Sequence, residues 1–120
     1  MKQTLTNIKM MEMVHYLQPI LSYRDKAGYV AARNYRILTD SLTEYIAFRD
    51  GLIKKYGEPN QENGTTSISV KSPNFAAFCE ELEPFNNMAH EVELMTMKYK
   101  DAINVLTGEE ILSIDWMLED

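Results

Sequence analysis

The chain has 120 residues, 45% apolar and 25% charged, with a net charge of −6 and a single cysteine. That length and balance predict one globular domain, residues 1–120, with a modest core. They leave no apolar run near the roughly 20 residues of a membrane span, no signal-peptide apolar region in residues 1–20, and no partner for Cys79 in an internal disulfide.

The expectation is therefore a cytoplasmic protein that starts at Met1 and lives in a reducing compartment. The net charge hides a split. Residues 1–57 hold nine Lys/Arg and five Asp/Glu, a net of +4, and residues 58–120 hold three Lys and thirteen Asp/Glu, a net of −10. Opposite halves attract when they fold on each other. They can also give a molecule one basic and one acidic face.

Met1 to Thr6 alternates polar and apolar residues and reads as an edge strand or a frayed end. Thr6 or Asn7 can cap a helix running through Ile8, Met11, Val14 and Leu17. Pro19 lacks an N–H and ends or kinks that helix. Ile20 to Lys26 is a connector.

From Lys26 to Tyr56 the spacing predicts one long helix. Tyr35, Leu38, Leu42, Tyr45, Leu52 and Tyr56 recur every three or four positions, and Val30, Ile37, Ile46 and Ile53 form a flanking stripe. About thirty residues at a rise of about 1.5 Å span roughly 45 Å, more than a compact domain of this size. The helix is expected to project, to bend near Gly51, or to pair with another chain. Gly57 and Pro59 close it.

Asn63-Gly64 signals a hairpin turn. The strand before it is very short, and the strand after it covers Thr65 to Lys71. Ser72 as cap and Pro73 at the first helical position open the next helix. Its expected buried stripe is Phe75, Phe78, Cys79 and Leu82, and Pro84 breaks it. Val92 to Tyr99 reads as a strand. Thr107-Gly108-Glu109-Glu110 is a capping box. It opens a closing helix with Ile111, Leu112, Ile114, Trp116 and Met117 on or near its buried face. The fold class is α+β and helix-dominated: a long central helix packed with two or three shorter helices and a small antiparallel sheet or hairpin.

No constellation of residues carries a chemistry. His15 and His90 lie on different elements, and zinc needs three or four converging ligands. His90, Glu91 and Glu93 could place two groups on one strand face, without a second cluster. Cys79 has Glu80 and Glu81 beside it in place of the basic setting a nucleophilic thiol needs, and its position predicts a buried structural cysteine. The stretch Glu58 to Gly64 lacks the first Asp of a calcium loop and has its glycine one place late. There is no phosphate-binding glycine loop and no nucleophile elbow. No residue is assigned to catalysis, to a cofactor or to a metal, and no enzymatic activity is expected.

Lys26, Arg33, Arg36, Arg49, Lys54 and Lys55 along the long helix, with tyrosines between them, have the form of a nucleic-acid footprint. Asp40, Glu44, Asp50 and the acidic whole oppose it. The acidic half could instead mimic nucleic acid. The eight methionines fill gaps in a small core or line an adaptable partner surface.

The order of these elements resembles a family of small phage and prophage proteins catalogued as a domain of unknown function. The resemblance covers nearly the whole chain and is strongest at Arg49-Asp50-Gly51-Leu52-Ile53-Lys54-Lys55-Tyr56-Gly57-Glu58. It implies an accessory protein inside a bacterial host cell and supplies no site residues. The expected function is non-enzymatic protein–protein contact, with a host or defence protein or in virion assembly, and the long helix as the partner or oligomer surface. The alternative is a small ligand-binding protein or hydrolase with a pocket near the sheet.

Overall fold

The computed structural model describes residues 1–59 and 64–120. In chain order the elements are β1 (Lys2–Thr6), α1 (Asn7–Leu17), α2 (Lys26–Ser41), α3 (Thr43–Tyr56), β2 (Glu58–Pro59), β3 (Thr66–Ser67), α4 (Phe75–Asn86), β4 (Ala89–Glu93), β5 (Met97–Lys98), α5 (Tyr99–Ala102), α6 (Gly108–Ser113) and β6 (Leu118–Glu119). Short 3-10 turns cover Gln18–Ile20 and Asp115–Met117. The architecture is helix-dominated α+β, as the sequence predicts. No helix among the described residues is long and apolar enough to cross a membrane.

The chain divides into two compact units: residues 1–42 with 89–120, and residues 43–88. In the first unit β1 pairs antiparallel with β4, Lys2 opposite Glu93 and Thr6 opposite Ala89. The N–H of Leu94 extends the pairing to the Met1 carbonyl at 2.8 Å. β5 and β6 form a short parallel pair, Met97 opposite Leu118. Thr6 caps α1 by accepting from the Lys9 amide at 3.2 Å, and Asp25 caps α2 by accepting from Ala27 at 3.1 Å. These side chains satisfy amides that have no partner within the helix. Met10, Leu17, Ile20, Val30, Leu38, Ile114 and Met117 are fully buried. Asn34 is fully buried beside them. Its Nδ2 donates to the Met95 carbonyl at 2.9 Å and its Oδ1 accepts from the Met95 amide at 2.7 Å. One side chain thus replaces a strand partner where β4 has ended.

In the second unit α3 and α4 pack together. Phe48 and Phe85 have ring centroids 4.3 Å apart. The Tyr45 hydroxyl donates to Asn86 Oδ1 at 2.6 Å. β2 and β3 pair antiparallel, Glu58 opposite Ser67. Gly57 permits this approach, since a Cβ there would lie 2.7 Å from the Ser67 carbonyl oxygen.

Several expectations are corrected. The helix from Lys26 to Tyr56 keeps its predicted ends but is interrupted at Leu42, and Gly51 lies undisturbed inside α3. The cause sits one turn earlier. The Thr39 hydroxyl donates to the carbonyls of Tyr35 at 2.9 Å and Arg36 at 3.1 Å, a competition with the backbone that bends helices. The Leu42 amide is then shared between Leu38 and Thr39.

Pro84 does not break its helix, because α4 runs on to Asn86. The contacts of Phe85 and Asn86 hold the last turn despite the missing amide. That helix starts at Phe75, not at Pro73; Ser72 Oγ instead accepts from the Asn74 amide within the preceding turn. Cys79 is exposed rather than buried, since Phe78 and Leu82 take the buried face. The strand expected over Val92 to Tyr99 is split into β4 and β5, with the Asn34 contact between them. Among the described residues, the strand expected over Thr65 to Lys71 is represented by β3, Thr66–Ser67. Asn63, and so the Asn63-Gly64 turn, lies outside the described residues. Leu112 is 80% exposed and not part of the core.

The charge split of the sequence does not follow the units. Each unit carries a net of −3, eight basic against eleven acidic residues in the first and four against seven in the second. The basic and acidic stretches meet inside each unit instead, at Lys26–Asp101 in the first and Lys55–Glu81 in the second, both 3.3 Å. Such surface pairs contribute well under about 1 kcal/mol each.

Candidate protein-contact groove between α1 and α6

Thr107 and Glu110 fix the start of α6. Glu110 N–H donates to Thr107 Oγ1 at 3.2 Å and Thr107 N–H donates to Glu110 Oε1 at 2.9 Å, the reciprocal capping box. The Tyr23 hydroxyl adds a 2.7 Å bond to the same Glu110 oxygen. The Thr107 backbone amide holds the Glu110 carboxyl below its ordinary pKa. The bond to Glu110, followed by desolvation, holds the Tyr23 phenol above its own. The box therefore does more than start a helix: it ties α6 to the connector before α2.

So held, α6 and the turn after it face α1 across an open groove of about 470 Å³. The α1 wall is Lys9, Glu12, Met13 and Tyr16, spaced i, i+3, i+4 and i+7, which is one face of a helix. The opposite wall is Glu109, Leu112, Ser113 and Trp116, with the same spacing. Met13 is buried, Tyr16 is 41% exposed and Leu112 is 80% exposed. Trp116 Nε1 is buried with no hydrogen-bond partner among the described residues. Lys9 and Glu12 approach to 3.8 Å along their own helix. Glu109 has no ion-pair partner among the described residues.

The groove is of mixed character, with Met13, Tyr16, Leu112 and Trp116 beside Lys9, Glu12, Glu109 and Ser113.

The residues weighed for chemistry are scattered. His15 is exposed on α1, edge-on to Tyr16 with ring centroids 5.7 Å apart. His90, Glu91 and Glu93 are exposed along β4, where strand alternation puts His90 on the opposite face from the two acids. Cys79 is exposed on α4. Among the described residues no three His, Cys, Asp or Glu side chains converge as metal ligands do. The basic run of the long helix is divided by the Leu42 break into Lys26, Arg33 and Arg36 on α2 and Arg49, Lys54 and Lys55 on α3. Of the methionines, Met10, Met13, Met97 and Met117 fill the core, while Met88 and Met95 are exposed.

Sequence reasoning did not find the groove. Its signal was the pair of three/four spacings at Lys9–Tyr16 and Glu109–Trp116, each of which alone is an ordinary amphipathic turn. No protein-family model, no curated protein and no solved structure matches this chain.

Proposed function

We propose that the chain works by protein–protein contact and not by catalysis, as an accessory protein inside a bacterial host cell of the phage or prophage kind that its sequence resembles. The contact surface in this reading is the α1/α6 groove rather than the α2–α3 segment. The observation that carries it is Leu112, 80% exposed on the rim of a groove also lined by Tyr16, Met13 and Trp116. An exposed apolar side chain beside a partly apolar cleft is a common form of interface anchor.

The test is affinity capture from an infected or lysogenic host lysate, with the wild-type chain and Leu112→Asp as parallel baits. The wild type should retain a protein that Leu112→Asp loses, with both baits melting at the same temperature. Identical captures by the two baits would contradict the assignment of the groove.

A further inference from the structure

The charged lining of the groove is two acids, Glu12 and Glu109, and one base, Lys9. Lys9 lies 3.8 Å from Glu12 on its own wall, so those two offset each other. Glu109 is exposed and has no ion-pair partner among the described residues. It belongs to a stretch, residues 101–120, with six Asp/Glu and no Lys/Arg, in a chain of net charge −6. The groove and the whole molecule therefore both attract a cation and repel an anion.

The uncharged lining selects the kind of cation. Tyr16 on the α1 wall and Trp116 on the opposite wall each bring an aromatic ring, and Leu112 is 80% exposed. Leu112 follows Glu109 by three positions, which sets the two one turn apart on a single face. Lys and Arg match that sequence of surfaces, with an apolar stem for Leu112 and a charged head for the carboxylate. Aromatic faces attract the same head. The α1 wall, Lys9 to Tyr16, is about two helical turns long, and the groove is open along it. That shape takes a chain segment and does not enclose a small molecule.

We infer that the occupant of the α1/α6 groove is a basic segment of a partner protein, one Lys or Arg of which lays its stem on Leu112 and sets its charge at Glu109, between the walls that carry Tyr16 and Trp116. This rests on the reading of the groove as a protein-contact surface and names the partner's chemistry.

Trp116 is the single tryptophan of the chain, so its fluorescence reports on the groove alone. The probe is a short end-capped peptide of alternating lysine and alanine, titrated into the full chain from micromolar to millimolar. It should change the Trp116 emission saturably and move the amide resonances of Lys9 to Tyr16 and Glu109 to Trp116. The matching glutamate–alanine peptide should do neither, and end-capped free lysine should bind far more weakly. Glu109→Gln should weaken the lysine peptide about threefold to fivefold, and Glu109→Lys about tenfold or more. Leu112→Ser should weaken it without a change in melting temperature, since Leu112 is exposed. Glu83→Gln removes the same charge from an exposed position on α4 and should leave the affinity unchanged.

A lysine peptide that moves neither the emission nor those resonances overturns the inference. So does equal binding of the glutamate peptide, or free lysine binding as tightly as the peptide. Equal weakening by Glu83→Gln and Glu109→Gln overturns it too, because the attraction then belongs to net charge and not to the groove. If the lysine peptide fails while Leu112→Asp still loses a lysate partner, the basic segment falls and the contact surface stands. If neither is seen, both fall.

Discussion

The two units close their cores in different ways. The first joins residues distant in sequence: β1 at the start of the chain is held by β4 some ninety positions later, and its most buried side chains, such as Met10, Leu38 and Ile114, have no exposure at all. The second is contiguous and smaller. Its best-covered side chains, Tyr45, Leu52, Phe78 and Leu82, keep 6 to 8% exposure, and its strands are two residues long. A short chain has too little interior to exclude water fully. The α1/α6 groove lies in the more completely closed unit, where its two walls can be held in register.

The largest expected effect separates the cores. Leu38→Asp places a carboxylate in a site with no exposure and should cost about 4 kcal/mol or more; Leu52→Asp, with water already within reach, should cost about half as much. Chemical denaturation reads both, and equal losses would erase the distinction. Next is Asn34→Leu, which leaves the Met95 amide and carbonyl without their partner. A loss of about 3 kcal/mol is expected, and a neutral result would show that water replaces the side chain at no cost.

Gly28→Ala should destabilise the first unit by about 2 kcal/mol, since a Cβ there collides with the Tyr23 carbonyl. Glu110→Gln should cost about 1 kcal/mol near neutral pH through the weakened cap. It also carries a pH signature. Because the Glu110 pKa is lowered in the folded chain, its contribution is complete above the ordinary carboxylate pKa of about 4.3 and is lost as pH falls through the lowered value. The variant should therefore show a shallower acid limb in its stability–pH curve. Tyr23, whose pKa is raised, contributes below about pH 10 and loses that contribution as pH rises further. The smallest effect has the opposite sign. Gly51 is exposed in α3 with nothing near its Cβ position, so Gly51→Ala should stabilise the second unit by about 0.5–1 kcal/mol. A melting curve in which Gly28→Ala and Gly51→Ala move together would contradict the two environments.

Much of the local structure was legible in the sequence. Thr6 and the Thr107–Glu110 box cap their helices as their side-chain chemistry dictates, and the segment from Lys26 to Tyr56 begins and ends where expected. The break at Leu42 was not legible, because the apolar spacing passes through Leu38, Leu42 and Tyr45 without a fault, while its cause is a hydroxyl binding the backbone at Thr39. Leu112 reads as core by spacing alone. It is exposed because Ile114 and Met117 fill that interior and α6 ends after one and a half turns. The β1–β4 pairing and the groove both depend on which distant segments meet, and one helical face says nothing of the face opposite it.

Native-state hydrogen exchange, followed residue by residue, tests the contrast between the two units most directly. The account predicts that amides of β1, β4 and α2, in the fully closed first unit, exchange more slowly than those of α3 and α4. Equal protection in the two units, or slower exchange in α3 and α4, would contradict it.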